Sequence, residues 1–247
     1  MRRKSKSKWS KYKLMLQDKE LVAHLPETEL FTESMLWQFL DKYNQVIVKP
    51  SRGSRGYGVI QVSSLGDDQY EIHAENTRKT IKGRKETYEY LVARHLRRKK
   101  RYIVQQRIPL ATINGCPIDL RVMVQRKKGS SEWVVTGKLV KVANRGFIVT
   151  NLAKALLPVD QAISMSSIKD YPLDSLVTTM DQISLRASEE LVKSFPNQRT
   201  IGYDIGIDQN GQVWIIEANF SPMISLFRRL GDREMYRRIR WYKSANE

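Results

Sequence analysis

The sequence predicts an α+β protein whose sheets are mostly antiparallel, and three observations carry that expectation. First, β-branched runs follow one another through short polar turns rather than through helices: PIDLRVMVQ reaches WVVTGKLVKV across RKKGSSE. Second, Asn210-Gly211 sits between IGYDIGID and VWIIEAN, and this dipeptide favours a tight hairpin because both turn positions tolerate positive φ. Third, TESMLWQFLDKY and DQISLRASEELVKSF place apolar residues three to four apart, the period of a helix with one buried face.

Taken along the chain, the first thirteen residues carry seven Lys/Arg with Trp9 and Tyr12 between them, and read as a basic arm, residues 1–13, appended to the fold. From Thr32, a natural N-cap, Met35, Leu36, Phe39, Leu40 and Tyr43 share a helical face. QVIVKP is a short strand stopped by Pro50. SRGSRGYG supplies a glycine-spaced tip and VIQV a returning strand, so the segment reads as a hairpin. ETYEYLVARHLRRKK has a helical pattern with a basic end, where cations oppose the helix dipole. RYIVQQRI and the two runs named above are strands, Ile183, Ala187, Leu191 and Phe195 mark a further helix, and a hairpin around Asn210-Gly211 closes the folded part. Residues 236–247 read as a basic tail. No repeat of solenoid length is present.

Composition excludes several classes. A chain of 247 residues with 41% hydrophobic residues can bury a core, so the net charge of +17 belongs to a folded protein rather than a disordered one. Cys116 is the single cysteine, and His24, His73 and His95 are scattered, which argues against disulfide, zinc, haem and iron–sulfur chemistry and favours a reducing, cytoplasmic setting. No apolar run approaches the ~18 residues that a bilayer requires, and the basic N-terminus lacks an apolar signal region.

The strongest chemical signal is the hairpin. A two-residue turn at Asn210-Gly211 sets Asp204 across from Glu217, with Glu217 and Asn219 on one face and Trp214, Ile216 and Ala218 on the other. Opposed carboxylates repel unless compensated, and oxygen ligands from Asp, Glu and Asn suit Mg²⁺, which commonly shares its shell with phosphate and water. The alternative is a solvated face whose acids pair with nearby lysines or arginines. Lys49 ends a buried-looking strand just before Gly53, Ser54, Gly56 and Gly58, a loop able to lie backbone-first over phosphates. It is not a Walker A loop, because the lysine precedes the glycines, and the competing reading is a plain flexible turn. Asp119 and Arg121 share a strand face, as do Lys138 and Val140 in the next strand, so cations could face the same cleft. A salt bridge within that strand is the other reading.

Taken in order, VIVKPSRGSRGYGV, YIVQQRI, IDLRVMVQ, IVTNL and DIGIDQNGQVWIIEANFSP resemble the ATP-grasp superfamily, and most closely its YheC/YheD-like members from spore-forming bacteria. The resemblance spans roughly Trp9 to Pro222 and implies two α+β subdomains, residues 14–105 and 106–235, clasping ATP with Mg²⁺. By the resemblance, Lys49 contacts phosphates and the glycine-rich loop closes over them. Gln105 faces the adenine amino group, with the Gln106, Arg107 and Ile108 backbone beside the ring. Arg121 faces the γ-phosphate and substrate, Lys138 is counted with the nucleotide-binding residues, and Asp204, Glu217 and Asn219 hold the metal. Asn151 matches the asparagine near the acceptor, but NLAKALLPVD lacks the glycine pair that related ligases place after it. Little precedes the first shared helix, so a reduced substrate site or a partner is expected.

The implied activity is an ATP-dependent carboxylate–amine or carboxylate–thiol ligase; its rivals are a phosphotransferase and a nucleotide-binding structural protein without turnover. The expected partners are a nucleotide, a carboxylate substrate and a nucleophile. The runs at 97–101 and 237–240 suggest an anionic polymer, and the family resemblance suggests association with the spore.

Overall fold

A computed structural model describes residues 5–53, 56–148, 153–169 and 171–244. In chain order the elements are α1 (Lys8–Met15), α2 (Lys19–Val22), β1 (Thr28–Leu30), α3 (Glu33–Tyr43), β2 (Gln45–Pro50), β3 (Ile60–Gly66), β4 (Gln69–Ala74), β5 (Thr77–Lys82), α4 (Arg84–His95) and β6 (Tyr102–Gln106). They continue with β7 (Thr112–Ile113), β8 (Cys116–Gln125), β9 (Val134–Val142), β10 (Ala155–Leu157), α5 (Val159–Ser164), α6 (Leu173–Ser194), β11 (Thr200–Ile207), β12 (Val213–Asn219), α7 (Ser225–Leu230) and α8 (Arg233–Ser244). One antiparallel sheet has the order β1-β6-β2-β3-β4-β5; the other runs β10-β9-β8-β11-β12, with β7 paired to β8.

Local sequence explains most boundaries. The Thr32 hydroxyl accepts the Met35 amide at 3.2 Å and starts α3; Asn44, left-handed at φ 58°, ends it. The Leu36, Phe39 and Leu40 face of α3 packs with Val46, Val48, Ile60 and Val62, so each buried aliphatic side chain contributes about 1.5–3 kcal/mol. β2 and β3 form the expected hairpin, pairing Val46 with Val62. α4 stops at His95, so the basic run 97–101 lies beyond its end instead of forming its last turn.

In the second unit, Met180, Ala187 and Leu191 of α6 cover Leu120 and Val122 of β8 and Tyr203 and Ile205 of β11. Two expectations change here. Residues 1–13 are not wholly an appended arm, because α1 forms from Lys8 and puts Tyr12 and Met15 into this core together with Leu21 and Leu25. The N-terminal segment therefore packs mainly against α6, an element formed much later in the chain. The basic stretch 236–247 is not a tail as far as Ser244: α8 buries Ile239 against Met123, Leu139 and Phe227. Gly137 makes that docking possible, since a Cβ there would lie 2.8 Å from Ile239 and 2.9 Å from Met235. Among the described residues no helix is long and apolar enough to cross a membrane.

Candidate nucleotide and metal site

The sheets face each other across a cavity of about 700 Å³. Strand alternation sends Val46, Val48 and Val104 into the first core and turns Ile47, Lys49 and Gln105 toward the cavity. From the second sheet, Asp119, Arg121, Asp204, Glu217 and Asn219 line the opposite wall.

The hairpin that presents three of these side chains is not built as the dipeptide suggests. Its loop is one residue longer: the Asp208 amide donates to the Gln212 carbonyl at 3.0 Å and the Gly211 amide to the Asp208 carbonyl at 3.1 Å. Asp208 Oδ1 also accepts the amides of Asn210 and Gln212, and only Gly211 needs positive φ, at 74°. A longer loop shifts the register, pairing Ile207 with Val213 and Ile205 with Ile215. A bulge at Ile216 shifts it back, so Asp204 still pairs with Glu217. The bulge also moves Ile216 to the cavity wall, away from the face it was expected to share with Ala218, which is buried in the core.

Asp204 is the centre of the charge arrangement. Its Oδ1 accepts Arg121 Nε at 3.1 Å, Arg121 Nη2 at 2.8 Å and Lys141 Nζ at 2.9 Å, and Asn219 Nδ2 donates to Oδ2 at 2.8 Å. Burial pushes this carboxyl up, but Arg121 and Lys141 outweigh burial and hold it well below the usual carboxylate range. Lys141 also pairs with Asp119 at 2.8 Å; burial lowers its ammonium, and the two carboxylates more than restore it. Glu217 is paired with Lys8 at 3.2 Å. The expected repulsion between Asp204 and Glu217 is thus already compensated. Among the described residues of this cluster three carboxylates meet five cations, Lys8, Lys11, Lys49, Arg121 and Lys141, leaving a surplus of positive charge that suits an anionic ligand.

Lys49 is 4% exposed, and its Nζ donates to Gln105 Oε1 at 2.7 Å. Burial, reinforced by Lys8 and Lys11 and opposed by Glu217 and Asp204, pulls its pKa from 10.5 to about 8. The other end of the Gln105 amide donates to Thr28 Oγ1 at 2.8 Å. Gln105 thus lines the cavity beside Lys49 and bridges that lysine to Thr28. The Gln106 and Arg107 amides are bonded to the Glu27 and Gln45 carbonyls at 2.9 and 3.3 Å, while Ile108 lines the cavity.

Gly53, Gly56 and Gly58 adopt φ of 144°, 63° and 73°, the freedom expected of the loop after Lys49. Ser54 and Asn151 lie outside the described residues. Lys138 belongs elsewhere: it pairs with Val122, one residue out of phase with Arg121, and its Nζ binds Asp181 of α6 at 2.6 and 2.7 Å. Lys141 occupies the position expected of it, because Asp119 pairs with Lys141 in the register. A one-residue change of register separates these alternatives, and composition does not set it. Lys8 and Lys11 were also missed. The Trp9, Tyr12, Met15 spacing is the signal that could have revealed a docked helix.

The donors fit Mg²⁺ in kind, since the carboxylates of Asp204 and Glu217 and the amide oxygen of Asn219 are hard ligands on one wall. Among the described residues no three His, Cys, Asp or Glu side chains gather as a metal cluster.

Comparison with known proteins agrees with this architecture. The fold is that of the ATP-grasp ligases. Similar solved structures include D-cycloserine synthetase DcsG (13% identity, TM-score 0.55, 97% of this chain and 70% of that one). Others are D-alanyl-alanine synthetase A from Vibrio cholerae (10%, 0.54, 97% and 64%) and the ATP-grasp ligase PsnB complexed with minimal precursor, Mg and ADP (14%, 0.53, 98% and 59%). The chain belongs to the YheC/D-like ATP-grasp family, whose profile matches residues 2–243. Among curated proteins of Bacillus subtilis (strain 168), it is 27% identical to endospore coat-associated protein YheD over 231 residues, 90% of this chain and 49% of that protein. It is 24% identical to endospore coat-associated protein YheC over 228 residues, 87% and 59%. The chain thus spans about half the length of the curated relatives it matches.

Proposed function

We propose that this chain is an ATP- and Mg²⁺-dependent ligase that activates a carboxylate as an acyl phosphate for attack by an amine or thiol. The observation that carries the reading is the pairing, across one cavity, of buried Lys49 on one wall with the Arg121–Asp204–Lys141 cluster, Glu217 and Asn219 on the other. In this reading Lys49 holds phosphate oxygens, and the glycine-rich loop covers them with backbone N–H groups. The Ile108 side chain contributes to the adenine side. Arg121 meets the γ-phosphoryl group and the substrate carboxylate, while Lys141 keeps Asp204 ionised. Asp204, Glu217 and Asn219 would hold Mg²⁺, which when bound neutralises phosphate charge.

The carboxylate oxygen forms a bond to the γ-phosphorus as the bond to the ADP oxygen breaks; the nucleophile then attacks the acyl carbon and inorganic phosphate leaves. No protein nucleophile is needed, in keeping with a buried lone Cys116. Positioning and charge account for such catalysis. Likeness to endospore coat-associated relatives supports a spore-linked role.

The test is release of ADP and inorganic phosphate with pooled amino acids, peptides and cell-wall precursors. A ligase releases both only when carboxylate and nucleophile are present. ADP without free phosphate identifies a phosphotransferase, and tight ATP binding without turnover identifies a binding protein.

A further inference from the structure

Helix α1 reaches the back of the nucleotide wall. The Lys8 amide donates to the Ser51 carbonyl at 2.8 Å, and its Nζ donates to the Gly53 carbonyl at 2.9 Å while pairing with Glu217 at 3.2 Å. One residue thus touches both the foot of the glycine-rich loop and the acid proposed to face the metal. One helical turn on, Lys11 is 6% exposed; its Nζ donates to the Ala218 carbonyl, between Glu217 and Asn219, and lies 4.9 Å from the centre of the Phe220 ring. Tyr12 and Met15 anchor the helix in the core, and the Thr28 amide donates to the Tyr12 hydroxyl at 3.1 Å. That places α1 in series with the Thr28–Gln105–Lys49 chain of hydrogen bonds.

We propose that Lys8 and Lys11 are positioning residues of the nucleotide site, with Lys8 coupling the glycine-rich loop to Glu217 and Lys11 bracing the strand that carries Glu217 and Asn219. The inference rests on the nucleotide reading above and adds residues outside the family motifs. Electrostatics give it a signature that simple packing lacks. A cation behind the wall favours an incoming polyphosphate. The same cation, paired with Glu217, competes with a divalent ion for that carboxylate. Loss of the Lys8 charge therefore weakens binding of the anion and strengthens binding of the metal, two effects of opposite sign.

The experiment uses the full chain and AMP-PNP, a non-hydrolysable ATP analogue, in calorimetric titrations with EDTA and then with graded free Mg²⁺. Lys8→Met is expected to weaken metal-free AMP-PNP binding by about tenfold, equivalent to 1.4 kcal/mol. It should also lower the free Mg²⁺ concentration needed for half-maximal enhancement of binding. Lys8→Arg, which keeps the charge and the reach, should restore both quantities; Lys8→Gln serves if the methionine variant does not fold. Movement of both quantities in the same direction, or of neither, overturns the proposal. Absence of AMP-PNP binding by the unmodified chain, or insensitivity to Lys49→Met, instead overturns the nucleotide reading itself.

Discussion

Asp204→Asn tests the charge arrangement most directly, because it changes one oxygen to nitrogen at the point where two buried cations converge. In the parent, Arg121 and Lys141 approach Asp204 Oδ1 at 2.8 and 2.9 Å, with Arg121 7% and Lys141 3% exposed. Each contact is worth about 4 kcal/mol gross at an effective dielectric near 20, most of which offsets the cost of burying the ions. The variant keeps that cost and loses the gain, leaving Asp119 to serve both cations. Breaking such a pair destabilises by about 3–5 kcal/mol. For a chain of this size the melting temperature should fall by about 6–20 °C. Circular dichroism melts at pH 7 measure it, and the double variant Asp204→Asn, Lys141→Met should recover a substantial part by removing one orphaned charge. The effect depends on pH. Asp204 titrates well below an unfolded aspartate, so its contribution is complete above about pH 3.9 and is lost as pH falls toward the folded value. The gap between parent and variant should narrow in acid. A variant that melts with the parent at pH 7 would refute the view that Asp204 is the counter-ion of this cluster.

Further outcomes follow from the same geometry. Lys49→Met should weaken AMP-PNP binding by about tenfold or more, whereas Arg97→Met and Lys138→Met, one exposed and one paired with Asp181, should stay within about twofold, as read by calorimetry. Burial lowers Lys49 and Lys11 from 10.5 to about 8, so the unfolded chain binds more protons between those values and the stability of the ligand-free protein should rise with pH across that window in denaturant titrations. Phosphate binding favours the charged lysines, so AMP-PNP affinity should decline as pH rises through about 8, with proton uptake visible as buffer-dependent binding heats. Gly137→Val should clash with Ile239 and Met235 and cost about 1–3 kcal/mol in thermal melts while leaving AMP-PNP affinity unchanged, since α8 docks away from the nucleotide wall.

Signals that are local in the chain were legible before folding. Thr32 caps its helix, β2 and β3 pair about the glycine loop, and the Asp119/Arg121 alternation sends both side chains into the cavity, because capping and strand alternation depend on neighbours a few residues away. The Asp204–Glu217 pairing was also legible, although by a route the chain does not take: a longer loop and the Ile216 bulge displace the register in opposite directions and cancel. Other choices belonged to the tertiary structure. Whether Lys138 or Lys141 faces the acids depends on a single-residue register between β8 and β9, and both sequence patterns look alike. Whether the basic residues near the N-terminus lie in solvent or behind the site depends on Tyr12 and Met15 finding a core assembled mostly from residues beyond position 110. The same long-range approach turned the paired acids from a repulsive cluster into a compensated one. Charge type was written in the chain, whereas Lys8, Arg121 and Lys141 became counter-ions only when distant segments folded to within about 3 Å of Asp204 and Glu217.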